Sequence, residues 1–133
     1  MKYLWHAIQF FTASLGGFAV WFLGGIDSYM YVLVTFVLAD YVIGVIKAIA
    51  ERKLSSAIGA RGIAKKVLIF ILIGLSNLVD EYLLRDFGVF RVAVVFFYIS
   101  NEGISILENA HAIGVPIPAK LKAFMAQIRG DDK

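Results

Sequence analysis

The chain contains no cysteine. That excludes disulfide staples, thiolate metal sites and cysteine nucleophiles. Charge is scarce as well: 17% of the 133 residues are charged, against 60% hydrophobic. A soluble domain of this length covers one core with charged surface, and there is too little charge here to do so. Histidine is limited to His6 and His111, far apart and without cysteine partners, so no metal site is expected and no cofactor is implied. No aromatic-interleaved basic surface lies outside the hydrophobic blocks, which argues against a nucleic-acid partner. Ser55-Ser56 have no base nearby, and helix capping explains them better than catalysis. The glycines at Gly59 and Gly62 follow no strand, so they are not a phosphate loop. An enzyme is the least supported reading.

What remains is apolar sequence in long blocks, with mean hydropathy +0.80. An all-α integral membrane protein is expected, as a single polytopic domain over 1–133, since each span takes ~20 residues. Spans are predicted at about 3–23, 29–50, 67–84 and 89–110. A basic loop over 51–66 connects the second and third. The first block resembles a signal peptide only superficially, being too long for an h-region and lacking a clean cleavage pattern. Within it His6, Gln9, Ala13, Gly16 and Val20 share a face whose small residues permit close helix approach. The main rival topology has three spans, with the first block lying in the interface.

Pro116 and Pro118 end the fourth block, because proline removes a backbone donor and disfavours helix before it. In the 116–133 tail, Leu121, Phe124, Met125 and Ile128 then recur at helical spacing beside Lys120, Lys122 and Arg129. This is a short basic amphipathic helix, suited to an anionic membrane surface or to packing as a partner helix. With four spans, Lys2, the loop residues Arg52, Lys53, Arg61, Lys65 and Lys66, and the basic residues after Pro118 share one side. The other side receives Arg85 and Arg91 among Asp27, Asp80, Glu81 and Asp86. Positive charge favours the cytoplasm, so both termini are expected there.

Six charges lie in or beside the apolar blocks: Asp40, Lys47, Asp80, Glu81, Glu102 and Glu108. A charge at mid-bilayer costs roughly 2.5–3.5 kcal/mol on insertion scales, so such residues are usually in use. Asp40, Gly44, Lys47 and Glu51 share one helix face. Tyr98, Asn101, Glu102, Ser105 and Asn109 form a second stripe, and Asn77, Glu81 and Arg85 a third. Counting from the span ends places Asp40, Asn77, Asn101 and Glu102 in one polar layer near mid-membrane. Lys47 and Glu108 fall together nearer the cytoplasmic face as a secondary polar pair. Lys47 can snorkel, and Asp80 and Glu81 can sit in the outer headgroup layer. Asp40 and Glu102 have no such escape. The stripes either line water, pair between helices or subunits, or form satisfied interhelical hydrogen bonds, which average about 0.6 kcal/mol each.

The segment LADYVIGVIKAIAERKLSSAIGARGIAKK, from Leu38 to Lys66, resembles the bacteriophage holin family that includes clostridial toxin-secretion holins. The resemblance rests on Asp40-Tyr41, Gly44, Lys53-Leu54-Ser55-Ser56, Gly59, Gly62 and Ala64-Lys65-Lys66. It resumes at Arg91-Val92-Ala93, runs through Phe97 to Gly103 and Ser105 to Asn109, and ends at Gly114-Val115-Pro116-Ile117-Pro118 and Leu121. It implies a homo-oligomer in the bacterial inner membrane that permeabilises it at a set time, releasing an endolysin or large toxin. It also makes Asp40, Asn101, Glu102 and Glu108 candidates for assembly or pore lining. The residues alone leave two alternatives standing: a small ion channel or proton-linked transporter, and a structural subunit of a larger membrane complex.

Overall fold

The computed structural model describes residues 1–85 and 87–130, apart from the side chains of Ile128 and Arg129. The expectations placed on Asp86, Lys133 and those two side chains therefore lie outside the described residues. The fold is all-helical: α1 is Lys2–Leu23, α2 Ser28–Ala50, α3 Ser56–Val79, α4 Val89–Ala112 and α5 Ala119–Arg129. A π-helical turn, Asp80–Leu84, extends α3. Among the described residues, four helices are long and apolar enough to cross a membrane, with the third counted over Ser56–Leu84.

Local chemistry sets the boundaries. Gly24, at φ +81°, closes α1, and the Gly24 and Gly25 N–H groups return to Trp21 and Val20. A left-handed residue at this position is the usual glycine stop. Asp27 caps α2 by accepting from the Met30 N–H at 3.0 Å, and Ser55 caps α3 by accepting from Ile58 at 3.2 Å. The start of α4 is capped from a distance. Gly88 has no side chain to offer, so the Asp80 carboxylate accepts from the Phe90 and Arg91 N–H groups at 3.2 and 2.6 Å.

The predicted loop over 51–66 is corrected by this cap. Only 51–55 is non-helical, and Ser56 to Lys66 forms the first turns of α3. Read by hydropathy the segment is polar, but Ala57, Ala60, Arg61, Ala64, Lys65 and Lys66 are strong helix formers. Behind the Ser55 cap they propagate a helix.

Helices α2 and α4 lie side by side and parallel: Asp27 meets Arg91 near their starts, and Gly44 faces Asn109 near their ends. Helix α3 runs antiparallel across both. Each contributes a seam spaced by threes and fours, as in coiled-coil packing. On α2 it is Met30, Leu33, Val37, Asp40 and Gly44. On α3 it is Gly62, Lys66, Ile69, Ile73, Ser76 and Asp80. On α4 it is Arg91, Val95, Tyr98, Glu102, Ser105 and Asn109. The middle of the three seams forms one dry core of Met30, Leu33, Val37, Ile69, Ile73 and Val95.

Helix α1 buries none of its residues and packs along α3 near its own C-terminal end. There the Phe22 ring lies over Gly74 so closely that a Cβ on Gly74 would stand 1.9 Å from it. The large apolar side chains of α1 to α4 that face outward, among them Phe10, Phe18, Leu38, Leu68 and Phe97, form the surface offered to lipid. Helix α5 turns back beside the bundle. Leu121, Phe124 and Met125 line an apolar cavity with Phe36 of α2 and Ile104 and Leu107 of α4.

Candidate functional site

The seams bring three charges to one level. Asp40, Lys66 and Glu102 each lie ten residues, about 15 Å, from the same end of the bundle. The Lys66 ammonium donates to both Asp40 Oδ2 and Glu102 Oε2. Asp40 and Glu102 are 6% and 3% exposed. A long Asn109 Nδ2 contact reaches Asp40 Oδ1 at 3.4 Å, and Asn109 also approaches Ser105 Oγ at 3.4 Å. One ammonium between two carboxylates leaves a formal charge of −1 when all three are ionised. Paired in this way, charges survive where single ones would be expelled.

Asp40 and Glu102 thus meet, and Asn101 lines the same cavity beside them. Asn77 does not belong to that layer. It lies eleven residues beyond Lys66 on α3, about 16 Å along the axis, and donates to the Phe22 carbonyl at 3.2 Å. The expected shared depth came from starting the third span at Val67. With the helix beginning at Ser56, Lys66 takes the level assigned to Asn77. Lys66 is equally displaced from the membrane-surface set: its side chain is 17% exposed and points inward. Arg52, Lys53, Arg61, Lys65, Lys120 and Lys122 are exposed. Lys47 on α2 and Glu108 on α4 are both half-buried.

At the opposite end, Arg91, expected on the outer side, is 4% exposed and forms a second polar centre. Its guanidinium donates to the Leu23 carbonyl at 2.6 Å, the Gly25 carbonyl at 3.0 Å and Asp27 Oδ2 at 2.8 Å. Asp80, which can sit at headgroup depth, is buried within the protein and accepts from the Arg91 N–H. Burial pushes the Asp27 carboxyl up. The Arg91 hydrogen bond, the Met30 N–H and the Arg91 charge together outweigh it, holding the group below the ordinary aspartate range. The signal for both centres was present in the three-four spacing, which places Lys66, Asp80 and Arg91 on the same faces as Ile69, Ile73 and Val95.

Between the triad and the Glu51–Ser55 end lies a cavity of about 430 Å³. Tyr41 and Gly44, Gly59 and Gly62, and Ser105 and Asn109 are among its walls. A Cβ on Gly62 would stand 3.2 Å from the Tyr41 ring, so the close approach there depends on glycine. No group of three or more potential metal ligands occurs among the described residues.

Lipid-facing helices wrapped around buried charges define a multi-pass membrane protein. The chain belongs to the bacteriophage holin family, whose model matches residues 17–130. It is 41% identical over 128 residues to a 14.9 kDa protein from the nagH 3′ region of Clostridium perfringens, covering 96% of this chain and 97% of that one. YqxH of Bacillus subtilis is 39% identical, covering 93% of this chain and 86% of its own. A Bacillus phage phi105 protein named a probable holin is 35% identical over 111 residues, covering 84% of this chain and 82% of its own. No solved structure matches.

Proposed function

We propose that this protein is a phage-type holin that oligomerises in a bacterial inner membrane and permeabilises it, letting an endolysin or large toxin leave the cytoplasm. The observation that carries the reading is the Lys66 triad, buried at the junction of three lipid-facing helices in a chain of the holin family. In one subunit the charges satisfy one another. When enough subunits gather, rotation of α3 away from α2 and α4 turns Asp40, Lys66 and Glu102 toward water, removing their burial penalty. Asn101, Ser105 and Asn109 extend the wetted stripe along α4. The basic residues near the Glu51–Ser55 turn and on α5 favour the cytoplasmic side for that end, and hence for both termini.

Regulated expression in bacteria tests this reading. Respiration should continue through a delay, then collapse abruptly, with a folded cytoplasmic enzyme escaping. Asp40→Asn with Glu102→Gln should shift the onset at equal protein levels. Escape of ions alone would establish a small channel instead. Absence of toxicity would point to a structural subunit.

A further inference from the structure

Along every one of the three packed helices the same order repeats: the Arg91 centre, the dry core, the triad, then the cavity toward the Glu51–Ser55 turn. On α2 this runs Asp27, Met30–Leu33–Val37, Asp40, Gly44. On α3, read backward, it runs Asp80, Ile73–Ile69, Lys66, Gly62. On α4 it runs Arg91, Val95, Glu102, Ser105–Asn109. The three charges, the Ser105 hydroxyl and the Asn101 and Asn109 amides form one part of the cavity wall, and aliphatic side chains such as Val45, Leu54 and Ile58 form the rest. Its 430 Å³ far exceeds the about 10–15 Å³ that one water requires. Gly44, Gly59 and Gly62 keep it from being filled by side chains. Beyond the triad the seam between α2, α3 and α4 closes, with Leu33, Ile73 and Val95 fully buried in one cluster.

We infer that the folded subunit already holds half of a water path: an aqueous vestibule that admits small hydrophilic molecules from the Glu51–Ser55 end as far as Lys66 and stops at the Leu33–Ile73–Val95 seal. A roomy site that holds three charges and several hydrogen-bonding side chains fills with water, and water there hydrates charges that lipid would not. The seal keeps the membrane tight. This inference rests on the multi-pass fold and not on lesion formation, so either can fail alone.

The absence of cysteine makes the test clean. Single cysteines go into the full-length chain in sealed vesicles at non-lytic amounts. Membrane-impermeant methanethiosulfonates, one cationic and one anionic, are then added to one side at a time. Lys53→Cys and Phe87→Cys, both at exposed positions, identify the two sides. Ser105→Cys should react from the side that labels Lys53→Cys and from that side only. Gly44→Cys should do the same, giving a second reading if one variant fails to insert. Leu38→Cys lies two residues from Asp40 on the lipid-facing surface, at 62% exposure, and should stay unmodified because a thiol in lipid forms little thiolate. Val95→Cys should react more slowly than Ser105→Cys by over an order of magnitude. Silence at both Ser105→Cys and Gly44→Cys, labelling from the Phe87 side, or equal rates at Val95→Cys and Ser105→Cys would overturn the inference.

Discussion

Replacing Lys66 with methionine keeps an unbranched side chain of similar length and removes the ammonium. Asp40 and Glu102, whose side chains are 7% and 4% exposed, then share a site with no cation between them. Two like charges about 4 Å apart repel by about 4 kcal/mol at an effective dielectric constant of 20. Removing one partner of a buried ion pair costs about 3–5 kcal/mol in measured cases. A loss of about 3 kcal/mol is therefore the expected outcome. Reversible unfolding of the purified chain by denaturing detergent, followed by helical ellipticity, measures it. The variant combining Lys66→Met with Asp40→Asn and Glu102→Gln should recover most of the loss, because the penalty lies in unpaired charge rather than missing volume. If Lys66→Met is as stable as the unaltered protein, or the triple variant is no better than the single one, the triad does not hold the bundle.

Gly74→Ala should drive Phe22 off α3, at a cost of about 1–3 kcal/mol, and release the C-terminal end of α1. Phe22→Ala in the same chain should restore stability, and a failure to restore it would show that the Gly74 contact is incidental. Asp27→Asn keeps a helix cap while removing the charge facing Arg91. The folded-state pKa of Asp27 is depressed, so its contribution is complete above the ordinary aspartate value and fades as pH falls through the lower folded value. The side chain is 42% exposed, so the stability gap should be about 0.2–1 kcal/mol at neutral pH and close in strong acid. A gap that widens in acid would refute the assignment.

Hydropathy alone made the four apolar helices legible, because lipid demands long uninterrupted blocks. It also exposed Asp40 and Glu102, since no interface lies within reach of either. It failed at Lys66, where a basic segment ahead of an apolar block reads as a loop. Helix propensity and the three-four spacing carry the opposite message there, tying Lys66 to Ile69 and Ile73. The depth of Asn77 shifts with it, because depth is counted from the helix start, which lies at Ser56 and not at Val67. Arg91 and Asp80 were hidden for a different reason: near a span end, a buried charge and a headgroup charge look alike in sequence. Only the partner tells them apart, and the partners of the Arg91 guanidinium come from 64 to 68 residues away.

The two polar centres do something an apolar seam cannot. Lipid-facing helices with uniform seams slide by a turn at little cost, since one aliphatic contact replaces another. A one-turn slip of α3 moves Lys66 about 5.4 Å along the axis and brings Gly62 or Ile69 to the level of Asp40 and Glu102. The same slip draws Asp80 away from the N–H groups of Phe90 and Arg91 that it caps. The contacts at Lys66 and at Asp80 must therefore break together, which favours a held arrangement and a released one with little between. Bistable packing of this kind is what turns a gradual stimulus into a sudden change. For a protein whose proposed task is to stay silent and then open the membrane abruptly, charges buried at two points along one helix would supply that property.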